Sequence, residues 1–157
     1  MYKFSLNCYN EAMKNRLTEQ ILENYNCYKN DILGEIEEFS YRKKRYEVDF
    51  TISLFISSEK IDFDFIEESI RDTDKAIVLD HNFIAVIFDF ATEETGLKAT
   101  ENLLALLEPR LFSDEIYISV VNSHDRIDDD EHVRKALDLL IDNINNGFKD
   151  IPKLPSC

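Results

Sequence analysis

Basic residues are scarce in this chain: 18 lysines and arginines stand against 32 aspartates and glutamates, for a formal net charge of −14 over 157 residues. General binding to DNA, RNA or an anionic membrane needs a basic face, so this balance argues against nucleic acid polymers as partners. A small anionic ligand remains compatible with it, because one arginine cluster acts locally.

Cysteines and long apolar runs are also few. Cys8, Cys27 and Cys157 make an odd number without paired spacing, which predicts free thiols rather than a disulfide framework or a zinc site. No stretch approaches the ~18 apolar residues of a membrane span. Residues 1–10 lack the apolar run of a signal peptide. Together these absences predict a cytoplasmic protein.

The chain does contain enough apolar residues for a folded domain, since 44% are hydrophobic, among them 11 Phe and 7 Tyr. A stripe at three- and four-residue spacing predicts one or two N-terminal helices. Its members are Leu17, Ile21, Tyr25, Tyr28, Ile32, Ile36 and Phe39. We interpret the stripe as core or as a dimer seam, although it has no strict heptad.

Further along the chain, alternating and helical patterns follow one another. They predict strands at 48–57, 75–79, 83–90 and 115–121, and helices at 63–71, 93–107 and 133–144. This order predicts an α+β fold: a ferredoxin-like β-α-β-β-α-β antiparallel sheet with helices, preceded by N-terminal helices. We divide the chain into an N-terminal helical segment (1–46), the sheet-containing domain (47–149) and a tail (150–157).

Residues 71–90 predict a helix end, a strand, a tight turn and a second strand, with Arg71 and Asp74 just ahead of the hairpin. This layout resembles the core of a GGDEF domain, the module that makes or senses cyclic di-GMP. Residues 42–54 are similar to the basic, Tyr-ended helix and first strand of that family. Residues 116–140 are similar to its last strand, loop and helix. The resemblance implies a bacterial signal-transduction domain.

The resemblance also implies that catalysis is lost. Where the family has Gly-Gly-Asp-Glu-Phe, residues 79–83 read Leu-Asp-His-Asn-Phe, and Ser57 and Ser58 replace its metal-binding aspartate. Synthesis needs carboxylates that hold magnesium and a glycine turn that approaches phosphate. Asp80 alone does not supply both, and no P-loop, nucleophile elbow or Cys–His pattern replaces them. We therefore predict that the chain is not an enzyme and has no cofactor.

By the resemblance, Arg71 and Asp74 form the Arg-x-x-Asp pair of the family's product-inhibition site, which some inactive members use as a receptor for cyclic di-GMP. A guanidinium bonds guanine at O6 and N7, and a carboxylate accepts from the guanine N–H groups. The family site also recruits an arginine from the next helix. Here that helix offers Lys98, with Arg110 just beyond it.

Two interpretations of function stay open. The first is a catalytically inactive GGDEF-like domain that binds cyclic di-GMP through Arg71 and Asp74, forms a homodimer through its N-terminal helices and signals to a protein partner. The second is a ligand-free interaction or dimerisation module of the same fold, in which Arg71 pairs with Glu67 or Glu68 on the surface. We interpret the acidic run with two histidines at 124–132 as helix capping rather than a metal site.

Overall fold

The computed structural model describes residues 2–112, 115–125 and 128–147, and the side chains of 11–112, 115–124 and 128–147 among them. Five α-helices and four strands occupy these ranges. In chain order they are α1 (Tyr2–Glu23), α2 (Tyr25–Tyr46), β1 (Thr51–Ser57), α3 (Phe63–Ser69), β2 (Lys75–Asp80), β3 (Phe83–Phe88), α4 (Glu93–Leu107), β4 (Ile116–Asn122) and α5 (Asp129–Asn146). None of the helices in these ranges is long and apolar enough to cross a membrane.

The four strands form one antiparallel sheet in the order β2-β3-β1-β4. This confirms the predicted α+β ferredoxin-like fold with its N-terminal helices. The predicted strands and helices lie close to the observed ones, although the strand predicted at 83–90 ends at Phe88 and the helix predicted at 133–144 begins at Asp129. The helix predicted at 63–71 ends earlier, at Ser69, because the chain turns extended at Ile70. The central strand β1 is buried along its whole length.

The two faces of the sheet carry separate hydrophobic clusters. On one face Ile52 and Leu54 pack with α1, α2 and α5. On the other face Phe55 packs with residues of α3 and α4, among them Ile66 and Leu103. Successive side chains of a strand point to opposite faces, so β1 supplies both clusters at once.

The N-terminal stripe belongs to the core. Leu17 and Ile21 of α1 and Ile32 and Ile36 of α2 are fully buried, in the same cluster as β1 and α5. Of the two interpretations of this stripe, the structure therefore supports core, because its apolar surface is covered within the chain. Self-association, including a homodimer through the N-terminal helices, and the division into three segments stay predictions.

Helix α4 approaches the sheet closely at Gly96. A Cβ built there would lie 2.7 Å from the Cβ of Thr51 on β1. One turn further on, Thr100 shares a hydrogen bond of 2.6 Å with Ser53, the two hydroxyl groups being buried. Because glycine has no Cβ, it permits α4 to approach β1 this closely.

Some sequence-based predictions fall outside the described residues, namely the tail at 150–157, Cys157 and the side chain of Cys8. Cys27 is a free, exposed thiol on α2.

Candidate functional site

Arg71 and Asp74 lie in the turn between α3 and β2 and bind each other. The Arg71 guanidinium donates from Nε to Asp74 Oδ2 at 3.0 Å and from NH2 to Asp74 Oδ1 at 2.9 Å. The backbone closes the same turn, since Asp74 N donates to Arg71 O at 2.9 Å. The structure thus brings the two predicted site residues together. The recorded ion pair of Arg71 is with Asp74 and not with Glu67 or Glu68.

The two partners differ in their exposure. The Asp74 side chain is 2% exposed and that of Arg71 is 59% exposed. Asp74 also accepts from Arg71 N at 3.0 Å and from Asp89 N at 3.0 Å, so each carboxylate oxygen accepts two bonds. The bond to Asp74 raises the pKa of Arg71, which therefore stays charged. Asp74 positions the arginine, and the arginine faces solvent.

Asp89, directly after β3, joins this pair to the rest of the domain. Its carbonyl accepts from Arg71 NH2 at 2.6 Å. Its carboxylate accepts from Phe90 N at 3.1 Å and pairs with Arg42 NH2 at 3.0 Å. The Asp89 side chain is 4% exposed, so its charge is balanced by Arg42 rather than by water.

Arg42 is the residue that sequence reasoning missed. It lies near the end of α2 in a basic run, which is the ordinary pattern of a solvated helix terminus. In the structure its side chain is only 22% exposed, covers the Phe39 ring at 4.8 Å and also bonds Glu38 at 2.9 Å. Its Nε is buried without a hydrogen-bond partner. No local pattern links Arg42 to Asp89, because the two meet only through the tertiary fold.

The two cations expected from α4 lie elsewhere. Arg110 stacks over the Phe65 ring at 3.6 Å and lies 3.7 Å from Asp62. Lys98 is exposed on α4. Neither is among the described residues that line the groove beside Asp74, so the second arginine next to the pair comes from α2 instead.

A groove of about 530 Å³ opens beside Asp74. It is lined by Glu38, Phe39, Arg42, Asp72, Thr73, Asp74, Lys75, Asp89 and Phe90. Arg71 is bonded to two of these residues. The groove lining therefore combines the Arg42 guanidinium, exposed and buried carboxylates and two aromatic rings, and the exposed guanidinium of Arg71 is bonded to its wall. Such groups recognise a nucleobase by its edge and its face.

The β2–β3 turn, where the resemblance places the catalytic motif, is tied to the N-terminal helices. Asn82 and Gln20 of α1 exchange amide hydrogen bonds at 2.8 and 3.0 Å, and Asn82 also donates to Ser57 O at 2.9 Å. Asp80 accepts from the Tyr28 hydroxyl at 3.1 Å and bonds the His81 ring at 2.9 Å. Burial alone would raise the pKa of Asp80, but the bonds from His81 and Tyr28 outweigh it and lower that pKa.

The polar groups of this turn are therefore engaged within the chain. Among the described residues, no group of three or more His, Cys, Asp or Glu side chains is arranged to hold a metal ion. In the acidic run, Asp128 caps α5 by accepting from Glu131 N at 2.8 Å. His132 is buried, with Nε2 2.8 Å from Val121 O.

The fold is similar to that of several solved GGDEF domains. The GGDEF domain of DgcB from Caulobacter crescentus, in complex with c-di-GMP, matches with a TM-score of 0.63 at 8% identity, over 78% of this chain and 88% of that one. The active GGEEF domain of a diguanylate cyclase from Vibrio cholerae matches with a TM-score of 0.57 at 14% identity, over 80% and 97%.

A third solved structure extends over more of the chain. Diguanylate cyclase SiaD in complex with its activator SiaC, from Pseudomonas aeruginosa, matches with a TM-score of 0.54 at 12% identity, over 96% of this chain and 72% of that one. No family model and no curated protein matches the sequence. At such identities the likeness shows the fold, so the chain has the fold of a GGDEF domain. The predicted resemblance is confirmed at that level.

Proposed function

We propose that this chain is a catalytically inactive GGDEF-like regulatory domain that binds cyclic di-GMP at the groove beside Arg71. The observation that carries the proposal is the bidentate pair of Arg71 with Asp74, in which a buried carboxylate holds an exposed guanidinium at the groove. Arg71 makes the ligand contact, and Asp74 is a positioning residue.

The chemistry of the groove fits guanine. A guanidinium donates to guanine O6 and N7, while a carboxylate accepts from guanine N1–H and the N2 amino group. Arg71 supplies the first kind of group through its NH1 end, since its Nε and NH2 bond Asp74 and Asp89. Asp72, exposed in the groove wall, supplies the second. The edge of guanine carries both donors and acceptors, which match the carboxylates of this groove and the guanidinium bonded to its wall.

The proposed inactivity rests on the β2–β3 turn. Asp80 is the carboxylate of this turn, and its oxygens already accept from Tyr28 and His81. Ser57, at the end of β1, carries a hydroxyl where the reaction needs a metal-binding carboxylate. Incubation with GTP and Mg²⁺, followed by chromatography of the nucleotides, is expected to give no cyclic di-GMP. Formation of the product would overturn this half of the proposal.

Calorimetric titration of cyclic di-GMP tests the binding half. Wild-type protein is expected to bind with micromolar or tighter affinity, and Arg71→Ala to lose that binding. The matched control is Arg134→Ala, which removes another exposed arginine that bonds an aspartate, Asp130, at 2.8 Å. This control is expected to bind like the wild type. An equal loss in the two variants, or no binding by the wild type, contradicts the proposal.

A second candidate function is a ligand-free interaction module that signals to a protein partner. The balance of charge in the groove favours it, because four acids, Glu38, Asp72, Asp74 and Asp89, line it against two cations. A structurally similar cyclase, SiaD, is seen with an activator protein. This module predicts no heat of binding when cyclic di-GMP is titrated, and an oligomeric state, measured by light scattering, that does not change when cyclic di-GMP is added.

A further inference from the structure

Phe90, which follows Asp89 at the end of β3, has an unusual backbone. Its φ is 52°, in the left-handed region. A bulky residue other than glycine rarely adopts this conformation, because its Cβ crowds the backbone. Its side chain is also 55% exposed. The position thus combines two unfavourable features, backbone strain and an aromatic ring in water, and such strain persists only where the surrounding structure enforces it.

Hydrogen bonds on either side of Phe90 hold its backbone in the left-handed conformation. Asp89 is held by Asp74, Arg71 and Arg42 through its N–H, its carbonyl and its carboxylate. Phe90 N itself donates to Asp89 Oδ1 at 3.1 Å. On the other side, Ala91 N donates to Asp49 O at 3.1 Å. The bonding network of the Arg71 site therefore fixes the backbone that presents the Phe90 ring.

We propose that Phe90 is a stacking platform for a purine base in this groove. Phe90 lines the groove with Asp72 and Asp74. The Arg71 guanidinium lies 2.6 Å from the carbonyl of the peptide that joins Asp89 to Phe90, so the guanidinium and the ring flank one peptide group. The ring takes the face of the base, and Arg71 takes its O6/N7 edge.

This inference deepens the proposed function and rests on it: one guanine of cyclic di-GMP stacks on Phe90. Base–aromatic stacking accounts for roughly 5- to 150-fold in affinity, from about 1–3 kcal/mol per base. Because the backbone of Phe90 is held before the ligand arrives, placing its ring against a base costs less conformational entropy on binding. The strain at Phe90 is then the consequence of placing the ring beside Arg71.

The first test measures affinity. Phe90→Leu keeps the apolar character and removes the ring, so it is expected to weaken cyclic di-GMP binding by about ten-fold or more. Phe112→Leu is the control, since it removes another exposed phenylalanine that lies outside the groove. Phe90→Asn is a second variant for the case in which Phe90→Leu folds poorly, because asparagine tolerates the left-handed region. It is expected to lose the same affinity without a lower thermal midpoint.

The second test detects stacking directly. The chain has no tryptophan, so Phe90→Trp introduces a single fluorescent reporter. Its emission is expected to fall on addition of cyclic di-GMP with affinity near that of the wild type, whereas Phe112→Trp is expected to stay unchanged. A buried structural role for residue 90 would not produce this signal.

The outcomes separate the two proposals. If the wild type binds and Arg71→Ala does not, while Phe90→Leu binds like the wild type, the proposed function stands and the stacking role of Phe90 is overturned. If the wild type does not bind, the receptor function is overturned, and the stacking role goes with it. Loss of affinity in Phe90→Leu and quenching in Phe90→Trp support both.

Discussion

Arg42 and Asp89 form an ion pair that connects the end of α2 to the end of β3, with Arg42 NH2 3.0 Å from Asp89 Oδ2. The Asp89 carboxylate is almost fully buried. Because the backbone of Asp89 also bonds Arg71 and Asp74, this ion pair supports the exposed arginine of the candidate site. An N-terminal helix thus contributes directly to a groove that the sequence places around the α3–β2 turn.

The first prediction concerns this pair. Arg42→Met keeps much of the apolar stem of the arginine and leaves the Asp89 charge buried without its partner. Breaking a buried ion pair is strongly destabilising, and the partial exposure of Arg42 reduces the effect, so we expect a loss of about 2–3 kcal/mol in the free energy of unfolding. Urea denaturation measures this loss.

The control is Arg45→Met, at an exposed position of the same helix end, which is expected to change the free energy of unfolding by less than about 0.5 kcal/mol. Equal losses in the two variants would show that the pair has no special role.

The second prediction uses two glycines that sit inside helices in opposite surroundings. An alanine Cβ at Gly96 would overlap Thr51 on the central strand, so Gly96→Ala is expected to lower the free energy of unfolding by about 1–3 kcal/mol. Gly34 has no atom within 4 Å of such a Cβ. Gly34→Ala is therefore expected to raise stability by up to about 1 kcal/mol, since alanine is the better helix former.

Thermal unfolding of the two variants, measured in parallel, is sufficient to test this contrast. If Gly96→Ala and Gly34→Ala shifted the midpoint in the same direction, the close contact between α4 and β1 would not govern the choice of glycine at position 96.

The elements that sequence reasoning predicted well are those whose signal is periodic. The alternation around Ile52 and Leu54 marks the face of β1 that packs on the N-terminal helices and α5, and the spacing from Val133 to Ile144 marks the buried face of α5, so these patterns indicated the strand and the helix directly. The Arg71–Asp74 pair could also be predicted from the sequence, because a spacing of three residues in a turn brings the two side chains together. The elements that pack against the N-terminal stripe could not be predicted, since a stripe shows that a helix face is buried but not which element covers it. Arg42 was missed for the same reason.

The third prediction concerns the turn at Asn82. Asn82 is buried and uses its amide group to donate to Ser57 O and Gln20 and to accept from Gln20. Asn82→Asp replaces those donors with a carboxylate facing a carbonyl, so we expect a loss of about 1–3 kcal/mol. Gln20→Ala removes the link of Asn82 to α1, together with the bond of 3.2 Å from Gln20 Nε2 to the Tyr28 hydroxyl, and is expected to cost about 1 kcal/mol. His81→Ala, at an exposed position of the same turn, is the control; a similar loss there would mean that the turn is fragile for another reason.

The last prediction is a dependence of stability on pH through His132. Burial lowers the pKa of His132, although the bond of Nε2 to Val121 O raises it in part, and nearby Lys43 lowers it further. The folded state therefore releases a proton that the unfolded state binds near its ordinary pKa of about 6.5. Stability from this residue is present above that pH and is lost as the pH falls below it, by up to about 1.4 kcal/mol per pH unit.

Denaturant unfolding between pH 5.5 and pH 7.5 is the measurement, in a window that lies above the ordinary carboxylate pKa values of roughly 4. His132→Gln keeps a donor for Val121 O and removes the titration, so its free energy of unfolding is expected to change less over this window than that of the wild type. If His132→Gln kept the wild-type slope, the acid sensitivity would belong to other groups. A flatter profile in His132→Gln would show that the packing of α5 against β4 favours a neutral imidazole, because charging the ring would leave a cation buried beside Lys43.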